Sequence, residues 1–183
     1  MLIEYRLFAE ADTERLAAFL GEETWPYHGS ASISPDTVRR QVAEGHYTDE
    51  STHTFWIVVD DHEVGLIRLW DLGDDTPMFD VRIREAYRGL GIGSEAVTWL
   101  TDYAFSQFQH VARIEATTRQ DNIAMRKVLL LCDYAKEAHY RDGWPGENGA
   151  VHDAVGYAIL RRDWLSGTVT PPEWDDEPVR DLL

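Results

Sequence analysis

The chain has 183 residues, enough for one domain with a substantial core, and its 44% hydrophobic and 11% aromatic content excludes wholesale disorder. A single cysteine, Cys132, excludes an internal disulfide framework and a cysteine-rich zinc site, so no metal is expected. Seventeen basic against 33 acidic residues give a net charge of −16, which repels phosphate backbones and anionic lipid, so neither nucleic acid nor membrane is expected as a partner.

The start, Met1-Leu2-Ile3-Glu4-Tyr5-Arg6, lacks the basic region and apolar stretch of a signal peptide, and a cytoplasmic location is the expectation. Ile3 to Phe8 reads as a first strand. Asp12 or Thr13 caps a short helix with the stripe Leu16, Phe19 and Leu20, and an aromatic loop Trp25-Pro26-Tyr27-His28 follows. Ser34-Pro35 is an N-cap followed by proline at the first helical position, with Gly45 a good stop, which predicts a helix over 35–44. Thr54–Val59 and Val64–Trp70 form a predicted hairpin around Asp60 to Glu63. Met78 to Ile83 alternates Phe79, Val81 and Ile83 against Asp80, Arg82 and Arg84, the period of a strand.

Gly91 to about Gln109 has helical spacing, Val111–Thr118 reads as a strand, and Asn122 to about Leu131 as a further helix. Tyr134–Arg141 and Val151–Leu160 close the pattern as an antiparallel pair joined by a loop from Asp142 to Gly149 that carries Trp144-Pro145. Residues 1–164 are thus read as one domain and 165–183 as a polar tail. The order of elements predicts an α/β fold, a mixed sheet with helices on its faces.

Charge is distributed unevenly. Arg82 to Lys127 carries seven bases and five acids, a net +2, while the rest of the chain is −18. A locally cationic stretch in an acidic chain is where an anionic ligand is expected. Within it, Arg88-Gly89-Leu90-Gly91-Ile92-Gly93-Ser94 lies between a strand and a helix. Glycines let backbone approach a ligand, and a helix start offers free N–H groups to a diphosphate. No Gly-Lys-Ser/Thr ends the segment, so it is not a P-loop, and its central position argues against a Rossmann fingerprint.

Arg88-x-x-Gly91-x-Gly93, the strand before it and the helix opened by Asn122 together resemble the GNAT superfamily of acyl-CoA-dependent N-acyltransferases, over about residues 3–164. The nearest branch is the one that acetylates N-termini of ribosomal proteins. The resemblance implies a mostly antiparallel sheet with splayed central strands and acetyl-CoA as cosubstrate. It implies that the strand segment Val81, Arg82 and Ile83 binds the cofactor, with backbone groups of Val81 and Ile83 pairing with pantetheine and the Val81 N–H polarising the thioester, that Arg88, Gly89, Leu90, Gly91, Ile92, Gly93 and Ser94 hold the diphosphate, and that Asn122 binds the pantetheine arm. Leu129 stands where many members have a tyrosine that protonates the leaving thiolate.

Direct transfer needs a neutral amine, and hence a base. Glu115, on a strand and sharing a face with Thr117, is the first candidate and is expected in the gap between the splayed strands; Asp80 is the second. Tyr134, Tyr140 or solvent would protonate the thiolate. Trp25, Tyr27, His28 and Trp144 are expected to line the acceptor site, where aromatic walls suit a cationic amine. The leading reading is an N-acetyltransferase acting on a protein N-terminus, an aminoglycoside-type antibiotic or a small cationic amine such as a polyamine. The alternatives are a non-catalytic acyl-CoA-binding module and a nucleotide-binding domain. Edge strands and the tail leave a homodimer open.

Overall fold

The computed structural model describes residues 2–175; Met1 and residues 176–183 of the expected tail lie outside the described residues. A seven-stranded sheet runs β1 (Ile3–Leu7), β2 (His53–Val59), β3 (His62–Trp70), β4 (Met78–Ile83), β5 (Arg113–Arg119), β7 (Val151–Leu160), β6 (Ala135–Pro145) in spatial order. Every neighbouring pair is antiparallel except β4–β5, which is parallel.

Helices cover both faces, as the alternation of side chains demands. Odd-numbered Phe55, Ile57, Ile67, Leu69 and Phe79 pack with Ile92, Ala96, Leu100 and Ala104 of α3 (Ile92–Gln107) and with Leu129 of α4 (Ile123–Leu131). Even-numbered Trp56, Val58 and Leu66 pack with Leu16, Phe19 and Leu20 of α1 (Thr13–Gly21) and with Val38 and Val42 of α2 (Pro35–Ala43). β2 is buried on both sides over Thr54–Val59, which explains its unbroken apolar run. The helix starts obey local chemistry. Ser34 accepts from Thr37 N at 3.2 Å with Pro35 at the first position, and Asn122 Oδ1 accepts from Met125 N at 3.2 Å.

The parallel β4–β5 pair touches at one register position, Met78↔Glu115, with Glu115 N–H donating to Pro77 O at 3.0 Å. Beyond it the strands part. Arg84 N–H donates to Val64 O, directly opposite it, at 2.9 Å, so the even residues of β4 exchange hydrogen bonds with β3. Backbone groups of Phe79, Val81 and Ile83 therefore face the gap. By the same parity Arg161 N–H bonds Ala112 O on the β5–β7 side, which turns the backbone of Thr117 toward the gap from the other strand.

Two segments differ from the sequence expectation. The closing hairpin is longer: β6 bulges at Asp142 (φ 54°), whose N–H donates to Asp153 Oδ1 at 2.9 Å, and pairing resumes at Trp144↔His152. A short helix, α5 (Arg161–Ser166), follows β7. Its Arg161 guanidinium donates to Phe105 O, Phe108 O and Val111 O at 2.8, 2.5 and 2.6 Å, satisfying carbonyls at and beyond the C-terminus of α3. No helix among the described residues is long and apolar enough to cross a membrane.

Candidate active site

A cavity of about 720 Å³ runs through the gap between β4 and β5. Its two ends are built differently. At one end lie Gly89, Gly91, Gly93 and Ser94 before and within the first turn of α3, together with Val81, Ile83, Asn122 and Val128. Gly91 has φ +85° and Gly89 φ +76°, a conformation that glycine adopts without strain, and a Cβ on either would stand in open space. No side chain caps α3, so its first-turn N–H groups are available to an acceptor. A group with an anion for the helix start and amides for the strand edge fits this end, as CoA does. Leu90 is exposed and Ile92 lies in the core, so these two offer backbone only.

Arg88 lines the cavity, but its Nε donates to Ile83 O at 2.9 Å and its guanidinium lies 3.8 Å from Glu23 and over the Trp25 ring. Glu23 also accepts from Glu85 N at 2.9 Å. The arginine thus braces the loop against β4. Asn122 is equally committed: besides capping α4 it donates to Thr118 Oγ1 at 3.0 Å.

The other end sits on the α1/α2 face. The chain after α1 folds back through Trp25 N–H→Ala31 O (2.7 Å) and His28 N–H→Trp25 O (3.0 Å). Trp25 is buried, its indole N–H donating to Leu20 O at 3.0 Å, and its ring meets the His28 ring edge-on at 6.1 Å. Arg119 holds the same loop from β5, donating to Pro26 O at 3.0 Å with its guanidinium over Tyr27 and paired to Asp121 at 2.6 Å. The extended β6 brings Trp144 to the cavity wall.

At the centre of this end, Asp80 joins His28 and Arg82. Its Oδ1 lies 2.9 Å from His28 Nε2 and its Oδ2 accepts from Arg82 Nε at 3.0 Å. Burial would push the Asp80 carboxyl up, but Arg82 and His28 outweigh it and hold the group well below the usual carboxylate range. His28 Nδ1 and Arg82 Nη1 are buried with no hydrogen-bond partner.

Four expectations are corrected here. Glu115 is not in the gap: it pairs with Met78 where the strands still touch, is bound to Arg113 at 2.8 Å, and does not line the cavity, whereas Thr117 does. Tyr134 is core, its hydroxyl 2.8 Å from Thr101 Oγ1 and its ring against Phe79, and burial presses its hydroxyl well above the ordinary value. Arg82 does not face the gap: its backbone faces β3 and its side chain packs with Asp80 and Trp25 on the opposite face from α3. Tyr140 lies exposed on β6, outside the cavity wall. Arg68, which the sequence reading passed over, lines the cavity from β3, and its register partner is Asp80.

Sheet, splay and glycine cradle define an acyl-CoA-dependent N-acyltransferase architecture. The chain belongs to the acetyltransferase (GNAT) domain family, whose model matches residues 3–134. It is 27% identical over 172 residues to a Bacillus subtilis (strain 168) protein named "Putative ribosomal N-acetyltransferase YdaF", covering 88% of this chain and 93% of that one. Two solved structures share the fold. RimL, a ribosomal L7/L12 α-N-protein acetyltransferase in complex with coenzyme A, superposes with a TM-score of 0.75 at 17% identity over 86% of this chain and 93% of its own. A dodecameric spermidine N-acetyltransferase from Vibrio cholerae gives 0.74 at 16% identity over 90% and 97%. The chain is therefore an N-acetyltransferase with acetyl-CoA as its donor. Among the described residues no cluster of three His, Cys, Asp or Glu is placed to hold a metal ion.

Proposed function

We propose that the chain acetylates a primary amine by direct transfer across the β4–β5 gap, with His28 as the proton acceptor and Asp80 as the residue that positions it. The observation that carries this reading is the His28–Asp80 pair in the wall of the cavity, with Nε2 on the carboxylate and Nδ1 unpartnered. A carboxylate on Nε2–H fixes the tautomer that leaves Nδ1 a lone pair; Nδ1 is buried in this conformation, so a turn of the His28 ring would have to bring it to the attacking ammonium. Asp80 is the poorer base of the two, because both its oxygens are bonded and its carboxyl is held low.

Bound acetyl-CoA supplies an acyl group activated as a thioester. Gly89 to Ser94 and the α3 start would hold its diphosphate. The open edge of β4 at the Val81 and Ile83 N–H groups would take its pantetheine, and the Val81 N–H would donate to the thioester carbonyl. Thr117 backbone groups close the gap opposite. The acceptor enters from the face that bears His28, Tyr27 and Trp144.

Thiol release with an amine panel tests the reading. His28→Gln should lower kcat by about 10²–10⁴-fold, the usual contribution of a general base. It should leave CoA affinity near wild type by calorimetry, because the cradle lies at the other end. Unchanged kcat with an unchanged pH profile would remove His28 from the mechanism.

A further inference from the structure

The acceptor end of the cavity holds a charge pattern that direct transfer to a simple amine does not require. Among the described residues that line the whole cavity, Asp80 is the one carboxylate, against Arg68, Arg82, Arg88 and Lys127. Lys127 stands on α4 at the cradle side, and Arg88 is engaged with Ile83 O and Glu23, its guanidinium over Trp25. Arg68 and Arg82 stand on β3 and β4 on the α1/α2 face, and in the register Arg68 lies opposite Asp80 and Arg82 opposite Leu66. Neither is therefore placed to meet a diphosphate at the α3 start.

Both are held in place and both are incompletely satisfied. Arg68 stacks over Trp70 at 4.5 Å and is bonded through Nη1 to the His46 ring and to His46 O at 3.3 Å. Burial and the adjacent guanidinium push the His46 imidazole below its ordinary value, so that it accepts from Arg68 rather than repelling it. Arg82 is gripped by Asp80 and lies over Trp25 at 5.5 Å. Yet Arg68 Nε and Arg82 Nη1 are buried without a partner. A buried donor left open is unfavourable, and an anion is the acceptor that recovers most from it. Asp80 does not reach either atom in this arrangement: its contacts are His28 Nε2 and Arg82 Nε.

We infer that Arg68 and Arg82 form a carboxylate-reading subsite, and that the acceptor is an amine carrying a carboxylate a few bonds from its nitrogen. The proximity follows from the chain itself: Arg82 is next to Val81, whose N–H faces the transfer point. A free α-amino acid and an acidic peptide N-terminus share this chemistry. A polyamine does not, because it would meet two guanidinium groups and a single carboxylate that His28 and Arg82 already occupy. The inference rests on the acetyl-transfer reading above and assigns its acceptor class.

The test is a matched acceptor panel assayed by thiol release and by mass of the acetylated product. Serine is compared with serinamide, and a peptide starting serine–aspartate with one starting serine–asparagine. Spermidine is included, and rates are expressed per neutral amine. The wild type should favour the carboxylate member of at least one pair by about tenfold or more in kcat/KM, the scale of a charge-assisted hydrogen bond. A preference confined to the first pair assigns a free amino acid, and one in the second an acidic N-terminus. Arg68→Gln should bring that ratio close to one, and Arg68→Lys should retain part of it, with CoA calorimetry reporting that each variant is folded. Equal rates within both pairs, or spermidine faster than every carboxylate, would overturn the inference and leave acetyl transfer standing. Thiol release with no acceptor at all would overturn both.

Discussion

The two ends of the cavity are made of different materials. The cradle end is backbone: glycines at 89, 91 and 93, an uncapped helix start and a strand edge without a neighbour. The acceptor end is side chain: His28 from a loop, Arg68 from β3, Asp80 and Arg82 from β4, Trp144 from β6. Backbone presents the same amide whatever residue bears it, so the cradle itself tolerates change at exposed Leu90 and fixes only where a Cβ must be absent, while Ile92 is constrained by the core it packs in. Side chains carry their chemistry with them, so one substitution at the acceptor end changes what is recognised. A fold built this way keeps its donor constant and can change its acceptor.

Substitutions that separate the two ends sharpen this contrast. The largest effect is expected at Gly91. Gly91→Val forces a branched residue to φ +85° and puts its side chain into the open cradle, so CoA affinity should fall ~10²-fold or more, as several charge-assisted bonds are blocked together. Gly93→Ala is the control: its Cβ would meet Val128 Cγ2 at 3.6 Å, an ordinary contact, and affinity should stay within about threefold. Calorimetry with CoA checks both. Equal losses would mean that the cradle is filled differently.

Asp80 gives the next effect, on stability as well as rate. Its carboxyl is held low in the folded chain, so the stability it contributes is complete above the ordinary value of ~3.9 and is lost as pH falls below it. The wild-type melting temperature should therefore fall more steeply than that of Asp80→Asn between about pH 4 and pH 2. Parallel curves would show that the pair with Arg82 orders the site without stabilising the fold.

Glu115→Gln should have the smallest effect, within about twofold on kcat, because it lies outside the cavity wall and a partly exposed ion pair such as that with Arg113 contributes little. A fall of 10²-fold in kcat, the scale of a general base, would return Glu115 to the mechanism and displace His28.

The same contrast explains what was legible in the chain. The cradle could be read because glycine spacing, a strand before it and Asn122 after it are local signals. Alternation on β4 was also readable: Asp80 and Arg82 share a face opposite Val81, and that pattern already separated the Arg82 side chain from the cradle. Register was not. Glu115 and Thr117 do share a face, but which of them enters the gap depends on Met78↔Glu115, a pairing between strands separated by α3. Tyr134 followed an apolar helix end, and nothing local distinguished a core hydroxyl bonded to Thr101 from one at the site. His28 and Asp80 are 52 positions apart and no spacing rule joins them. Trp144 reached the wall only because a bulge at Asp142 let β6 continue past its expected end.

The parted strands also make the molecule a thermometer for its own ligands. Where β4 leaves β5, the N–H groups of Val81 and Ile83 form an unfinished ladder that water must hydrate when nothing else does. A molecule that completes the ladder binds the folded chain and not the unfolded one, and so shifts the folding equilibrium by mass action. At a hundredfold excess over its dissociation constant that shift is about 2.7 kcal/mol. For a chain of this size it corresponds to a rise of roughly 5–10 °C in melting temperature. The donor end alone should give such a rise, and any acceptor that adds to it announces itself before a single turnover is measured.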